Sequence, residues 1–486
     1  MLHICSGFAQ QGRGGTGGGG GKPGTDDLEM GPSALLVPVA VRENAAVTDT
    51  SADLAGTYDA VIVGGGLVGC SIAHELARSG RRTLVLDEGP AAGAGSTSSS
   101  SAIVRFHYST FEGVAAAWES KFAWETWADH LGGMDPAGMA TFHRIGGVVL
   151  EPPGWDSSRI LHLYDRIGIP YERWDTETLH ARMPAIDAGR FGPPKSVESD
   201  EFWEESTGEV RAFFQPDGGY VDDPQLAAHN LFWAAKQHGA EFRFRTEVVN
   251  VIRDDRVRGM VLASGEQILA SIVINATGPG SSVLNELAHV VDDMNVRTRP
   301  LRQEVHTLSS PPSFSEESGS AFVADLDMGT YYRPQRGGTL IVGGMEPECD
   351  PLEWVEDPHH YTETPTPEAW DANTLRLARR MPELTVPNRP KGLGALYDVS
   401  DDWLPIYDRS SLPGYYMAIG TSGNQFKNAP VIGLFLRAII DHVEDGHDHD
   451  ADPVQLRLPR TGLVLNLGHY SRRRERNPLS SNSVNG

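Results

Sequence analysis

Two basic residues far apart in the chain carry the most chemistry: Arg105, in AIVRFHYS (102–109), and Lys427, in GTSGNQFKNAP (420–430). Arginine presents a planar fork matched to a carboxylate, and lysine a compact point charge. Each lies beside a run of small, hydroxylated or amide residues. The first is AAGAGSTSSSS (91–101), with Ser96, Thr97 and Ser98; the second is Gly420 and its successors Ser422, Gly423, Asn424, Gln425 and Phe426. Such runs cannot build a core, but they bring many N–H and O–H groups against a ligand. His107 adjoins Arg105, and Tyr331 stands in TYYRPQRGGTLIVGG (330–344), a strand-like stretch whose aromatic rings suit an alkylammonium. Salt bridging, surface charge and sheet packing are the structural alternatives for these residues.

The element that must position this chemistry is YDAVIVGGGLVGCSIAHELARSGRRTLVLDEG (58–89). Ala60 to Val63 reads as a buried parallel strand, Cys70 to Arg78 as a helix, and Thr83 to Leu86 as a second strand. Gly64, Gly66 and Gly69 fit G-x-G-x-x-G, with Leu67 and Val68 opening the helix. The pattern predicts a tight turn at Gly64, backbone approach to a pyrophosphate at Gly66, and close helix–strand packing at Gly69. Asp87 ends the second strand, placed to accept hydrogen bonds from ribose hydroxyls, which favours FAD or NAD over NADP. Further on, a helix is expected from about Pro224 to His238. A meander of strands follows (247–253, 257–262), then a buried strand, Ile272 to Asn275, running into the small-residue turn Ala276-Thr277-Gly278. Tyr415 to Ile419 predicts another buried strand, and Pro430 opens a helix to about His442.

The totals exclude some classes. The 486 residues allow two or three structural units. The formal net charge of −24 argues against nucleic acid as a partner. No apolar run is long enough to span a bilayer. Three scattered cysteines suit a reducing compartment and form neither a disulfide framework nor a metal site. Residues 1 to about 56, dense in glycine, are expected to be disordered, and nothing there reads as a secretory signal, so a cytoplasmic location is expected. The histidines of DHVEDGHDHDADP (441–453) read as part of a solvated run, and SRRRER (471–476) as a weak candidate for an acidic partner.

Four blocks together resemble the glycine/D-amino-acid oxidase (DAO) superfamily of FAD enzymes, which includes sarcosine and dimethylglycine dehydrogenases. They are residues 64–89, GSTSSSSAIVRFHYS (95–109), VINATGPGSS (273–282) and the stretch from Gly392 to Gly433. The resemblance implies an α/β fold: a Rossmann-like FAD-binding domain, discontinuous over 57–110, 216–295 and 390–450. An inserted antiparallel-sheet substrate domain would span 111–215 and 296–389, with a tail at 451–486. It implies an enzyme that oxidises a C–N bond of a secondary or tertiary amino acid by hydride transfer to flavin. Alternatives are a peroxide-forming oxidase or a non-catalytic flavoprotein subunit. Arg105 and Lys427 match the family's carboxylate-binding pair, His107 and Tyr331 are weaker pocket candidates, and cofactor contacts extend to Glu88, Val248 and Gly394. Two departures matter. Ala395 stands where some relatives attach flavin through cysteine, and the early serine block lacks the attaching histidine of others, so FAD is expected to be noncovalent. Ile341 falls near the position of an oxygen-activating lysine, which favours an electron acceptor other than oxygen.

Overall fold

The computed structural model describes residues 57–152 and 155–486. The disorder expected for 1 to about 56 lies outside the described residues. Strand Tyr58–Val63 lies in the middle of an eight-stranded sheet. It pairs in parallel with Thr83–Leu86 on one side and with the second half of Gln267–Asn275 on the other. Glu241–Arg243 and Tyr415–Ile419 extend the parallel set outward, and Ile406–Arg409 closes one edge in antiparallel. The expected meander, Val248–Arg253 and Val257–Leu262, attaches to the first half of the long strand Gln267–Asn275. These strands are aliphatic on both faces because helices cover them. Ile62, Ile72, Ile274, Ile432 and Phe435 all have no exposure and share one core.

Helix Leu67–Arg78 packs against helix Ala429–Glu444 so tightly that a Cβ on Gly433 would stand 2.3 Å from the Ser71 carbonyl oxygen. The Ser71 hydroxyl donates to the Ala429 carbonyl at 2.5 Å, which pins the second glycine loop beside the first. Helix Pro224–Gln237 begins as its sequence predicts, with Asp223 capping the Leu226 N–H and proline in the first turn.

A second, nine-stranded sheet has Thr298–Ser309 near one edge, where it pairs with three other strands. It is antiparallel throughout except where Gly147–Glu151 runs parallel to Phe322–Asp325. The stretch 330–344 is a hairpin of two strands, Thr330–Gln335 and Thr339–Gly344, turning where Gly337 and Gly338 adopt φ of 85° and 71°. Strand Gly392–Ser400 pairs with Thr298–His306 along its length, so it belongs to this second sheet although the loop after it reaches the first.

The basic run 471–476 is bound to the chain's own acids. Arg472 has no exposed side chain and meets Asp293, Asp408 and Asp450 at 2.6, 3.0 and 2.9 Å. Arg474 meets Asp402 at 2.7 Å and Arg476 meets Asp401 at 3.0 Å. No helix among the described residues is long and apolar enough to cross a membrane, and none of their His, Cys, Asp and Glu side chains cluster as a metal site.

Removing Arg472 would leave Asp408, also without exposure, with only His449 at 3.9 Å among the described residues, an imidazole that burial pushes below its usual range. Arg472→Ala should lower unfolding stability by about 3–5 kcal/mol, measured by urea denaturation. Arg473→Ala, at a half-exposed position, should cost under about 1 kcal/mol in the same assay.

Candidate active site

The turn after the first strand is shaped by steric limits. Gly64 has φ of 106°, and a Cβ there would lie 2.2 Å from the Ala276 carbonyl oxygen. A Cβ on Gly69 would lie 1.9 Å from the Gly64 carbonyl oxygen. The two strands and the helix therefore meet backbone to backbone, which only glycine permits. The helix that starts here has no side-chain cap from Gly66, and beyond the Leu67 N–H its next N–H groups, of Val68 and Gly69, face toward a negative ligand. Thr97 Oγ1 takes the Leu67 N–H at 3.1 Å and holds the serine-rich loop against this turn. Asp87 accepts from Gly65 N at 2.5 Å and from Gly89 N at 2.7 Å, one bond to each oxygen, leaving lone pairs for ribose hydroxyls.

A cavity of ≈510 Å³ runs from this turn to the second glycine loop. Its wall includes Gly64, Gly66, Leu67, Val68, Asp87 and Glu88 at one end. Ser96, Thr97, Val248, Ala276, Thr277 and Gly278 continue it, and Gly423 to Lys427, with Arg105 and Tyr331, close the other end. Six expected residues lie outside this wall. Gly69 packs helix on strand. Ser98 is exposed, and its hydroxyl turns back to the Gly95 carbonyl. Gly394 leaves room for Arg302 and the Thr362 carbonyl. Gly420 and Ser422 shape the second loop by donating their N–H groups to the Asp398 carboxylate and carbonyl, at 2.6 and 2.7 Å. His107 points away, with Nδ1 3.0 Å from Gln215 Nε2. Burial, then Arg105 and Lys427, push the His107 imidazole well below its usual range, so it is neutral.

Arg105 and Lys427 meet at the closed end. Arg105 is buried and donates to the His107 and Val484 carbonyls, each at 2.5 Å, with its guanidinium 4.7 Å from the Tyr108 ring centre. Lys427 Nζ donates to Tyr108 Oη at 2.6 Å and to the Asn424 carbonyl at 2.5 Å. The Trp124 indole N–H donates to the Lys427 carbonyl at 2.7 Å, fixing the turn. Burial and then the neighbouring Arg105 push the Lys427 ammonium well below its usual range. Tyr331 Oη is 2.8 Å from Ser101 Oγ.

Several wall residues have no local signal in the sequence. Tyr397 fits under Gly423, where a Cβ would come within 2.4 Å of its ring. Val484 and Asn485 reach the cavity from the end of the tail. Asp398 lies in the stretch from Gly392 to Gly433, yet its part in bracing the loop emerges only from the fold. Its carboxyl is pushed up to about 7 by burial, opposed by the Gly420 N–H and the Ser281 hydroxyl.

The chain matches the FAD dependent oxidoreductase (DAO) family over residues 59–439, and it belongs to that family. Among curated relatives it is 24% identical to glycine oxidase of Geobacillus kaustophilus over 407 residues, covering 80% of this chain and 95% of that protein. It is 28% identical to glycerol-3-phosphate dehydrogenase of Pseudomonas aeruginosa over 47% of this chain and 41% of that protein. Among solved structures, L-proline dehydrogenase from P. horikoshii superposes with a TM-score of 0.67 at 21% identity, covering 86% of this chain and 97% of that one. The protein is thus an FAD-dependent oxidoreductase. The donor set fits FAD: a glycine cradle at an uncapped helix end, an acid beside it, and a cavity continuing to a basic end.

Gly64→Ala should abolish flavin retention, because the added methyl collides with the Ala276 carbonyl. The check is the flavin-to-protein absorbance ratio after purification, against Gly80→Ala, whose Cβ would meet nothing within 4 Å and which should keep its flavin.

Proposed function

We propose that the chain oxidises the C–N bond of a secondary or tertiary amino acid, with Arg105 and Lys427 holding the substrate carboxylate. One observation carries this reading. Two buried basic groups, a guanidinium and an amine, share one end of the cavity, and among the described residues neither has a carboxylate within ion-pair distance. Each instead uses neutral oxygens, namely backbone carbonyls and the Tyr108 hydroxyl. Desolvated positive charge without a counter-ion is costly, and a bound carboxylate offsets that cost for both groups.

Within this reading each residue has a defined task. Arg105 orients the carboxylate through its fork, and Lys427 adds charge from the other side of Tyr108. Tyr331 and Tyr397 supply aromatic walls for the amine end. Bound FAD supplies the hydride acceptor for the carbon next to nitrogen, and the resulting imine hydrolyses in water. Ile341 is buried in strand Thr339–Gly344 and brings no charge near the cavity, which supports electron delivery to an acceptor other than oxygen. Ala395 lines the cavity and has no nucleophile, which supports noncovalent FAD. The same reading keeps the cofactor part as 57–110, 216–295 and 390–450, the substrate part as 111–215 and 296–389, and a cytoplasmic setting.

Anaerobic mixing with N-methylglycines, proline, and D- and L-amino acids should bleach the flavin with at least one of them. Arg105→Ala should raise KM for that substrate by about 100-fold, the loss of a buried charge-assisted pair. Turnover in air should reduce a dye faster than it forms peroxide, and acid precipitation should release all the flavin into the supernatant. No bleaching by any amine would leave a flavoprotein without this activity.

Carboxylate binding should also take up protons. With its pKa held low in the free site, Lys427 is deprotonated over a range below its usual titration; an anion beside it favours the ammonium. Binding enthalpies for acetate measured near pH 8 should therefore vary with the buffer's ionisation heat, in the direction of uptake. Lys427→Met should reduce that dependence.

A further inference from the structure

Behind the tail, beside Arg105, stands a carboxylate that the reaction as described does not use. Glu346 follows strand Thr339–Gly344 with φ of 49°, a left-handed conformation a non-glycine residue rarely adopts. That turn aims its side chain inward. Oε2 accepts the Val484 N–H at 2.8 Å, and Oε1 is buried with no hydrogen-bond partner. The carbonyl of the same residue, Val484, accepts from Arg105 at 2.5 Å. The N–Cα–C=O unit of Val484 therefore spans a carboxylate at its nitrogen and a guanidinium at its oxygen. Those are the two ends of an α-amino acid, held in the sense such a substrate requires.

We infer that Glu346 binds the amine of the substrate, and that Val484 occupies this place as a stand-in until substrate displaces it. The inference rests on the carboxylate-binding role proposed for Arg105. The unsatisfied Oε1 offers a second acceptor, which an ammonium or alkylammonium uses and a single backbone N–H does not. Burial pushes the Glu346 carboxyl up to about 8, partly opposed by the Val484 N–H and Arg105. In its ionised form, at about pH 8 and above, a carboxylate of that basicity accepts a proton from a bound ammonium more readily than an ordinary glutamate does. The transfer moves one proton from nitrogen to a Glu346 oxygen and leaves the amine lone pair free, the form needed for oxidation.

The tail is arranged for displacement. Its firm anchors are the arginines up to Arg474 and Asn477, whose side chain donates to Ser109 Oγ at 3.1 Å. Beyond Asn477, only Ser483 and Gly486 are buried; Pro478, Leu479, Ser481 and Asn482 are exposed. Val484 makes the two bonds that a substrate would replace, and its side chain also packs against the Leu301–Val399–Trp403 cluster.

The test titrates the oxidised holoenzyme under anaerobic conditions and reads the flavin absorbance change on binding. The ligands are acetate, which has only the carboxylate, and glycine, N-methylglycine and proline, which carry both groups. Glu346→Gln should weaken the tightest of the three amino acids by at least about 10-fold while changing acetate by less than about 2-fold. Val484→Pro, which has no N–H to give Glu346, should tighten acetate and that amino acid several-fold. If none of the three binds wild type more tightly than acetate, or Glu346→Gln weakens acetate equally, or neither is weakened, Glu346 does not read the amine and the inference fails. Unchanged affinities in Val484→Pro would show that the tail does not hold the substrate's place. If acetate perturbs no flavin band in wild type, the carboxylate role of Arg105 falls, and this inference with it.

Discussion

The structure depends on keeping two basic groups, the Arg105 guanidinium and the Lys427 amine, out of water without giving either a counter-ion. Arg105 and Lys427 come from segments more than 300 positions apart, yet both contact Tyr108. Desolvating a cation is unfavourable, and each neighbour here reduces that cost without cancelling the charge. Backbone carbonyls of His107 and Asn424 accept from them, and the Tyr108 ring lies 4.7 Å from one and 5.0 Å from the other. A nearby carboxylate in direct contact would have stabilised the empty protein better. It would also have competed with any anionic ligand. The arrangement trades stability for a site that remains electrostatically unsatisfied, as binding sites commonly do.

That site exists only because two sheets are locked at one place. The parallel sheet ends its central strands on glycine turns, and the second sheet sends Gly392–Ser400 alongside. Asp398, near the end of that strand, accepts the Gly420 N–H and the Ser281 hydroxyl, while its carbonyl takes the Ser422 N–H. Three segments thus converge on one buried residue: the loop carrying Lys427, the turn after Gln267–Asn275, and the second sheet. Ser422 adopts φ of 46° and Gly423 φ of 66°, so the loop bends sharply there and turns Asn424 to Lys427 toward the cavity. The glycine cradle and the basic end are held in register by hydrogen bonds that touch no ligand.

The parts of the fold written in local pattern were legible. The strand–turn–helix–strand of 58–86 follows from aliphatic runs and helical spacing, and the structure places those elements within a residue or three of the expected bounds, the helix starting at Leu67. The helix after Asp223 and the strand Tyr415–Ile419 follow for the same reason. Convergence of Arg105 and Lys427 was legible only through resemblance to a family, because nothing in spacing links residues so distant. The hairpin in 330–344 read as one strand since its turn glycines sit inside an otherwise alternating run. His107 looked like a pocket residue by proximity to Arg105, but its imidazole is taken up by Gln215, a partner 108 positions away that no local pattern reveals. In the sequence, the tail's resemblance to those of related dehydrogenases points to packing on the body, and the run 471–476 is only a weak candidate for an outside acidic partner. Its partners, Asp293, Asp402, Asp408 and Asp450, are scattered over more than 150 positions and form no pattern until the chain folds.

Those arginines also explain how a tail can reach the cavity at all. A segment lacking apolar residues at regular spacing has little hydrophobic reason to dock, and ordering it costs conformational entropy. Here the cost is met at Arg472 and Arg474, where buried ion pairs fix the chain direction before the last ten residues begin. From that fixed point the hydrogen bonds and packing of Val484 suffice to bring it to Arg105, since its local concentration is set by the short connection rather than by free diffusion. Strong anchoring upstream and weak contact at the site are complementary. The anchor makes the tail's presence reliable, and the weak end lets a ligand of matching charge displace it. A tail bound tightly at the cavity would have blocked the same two charges whose lack of a counter-ion defines the site.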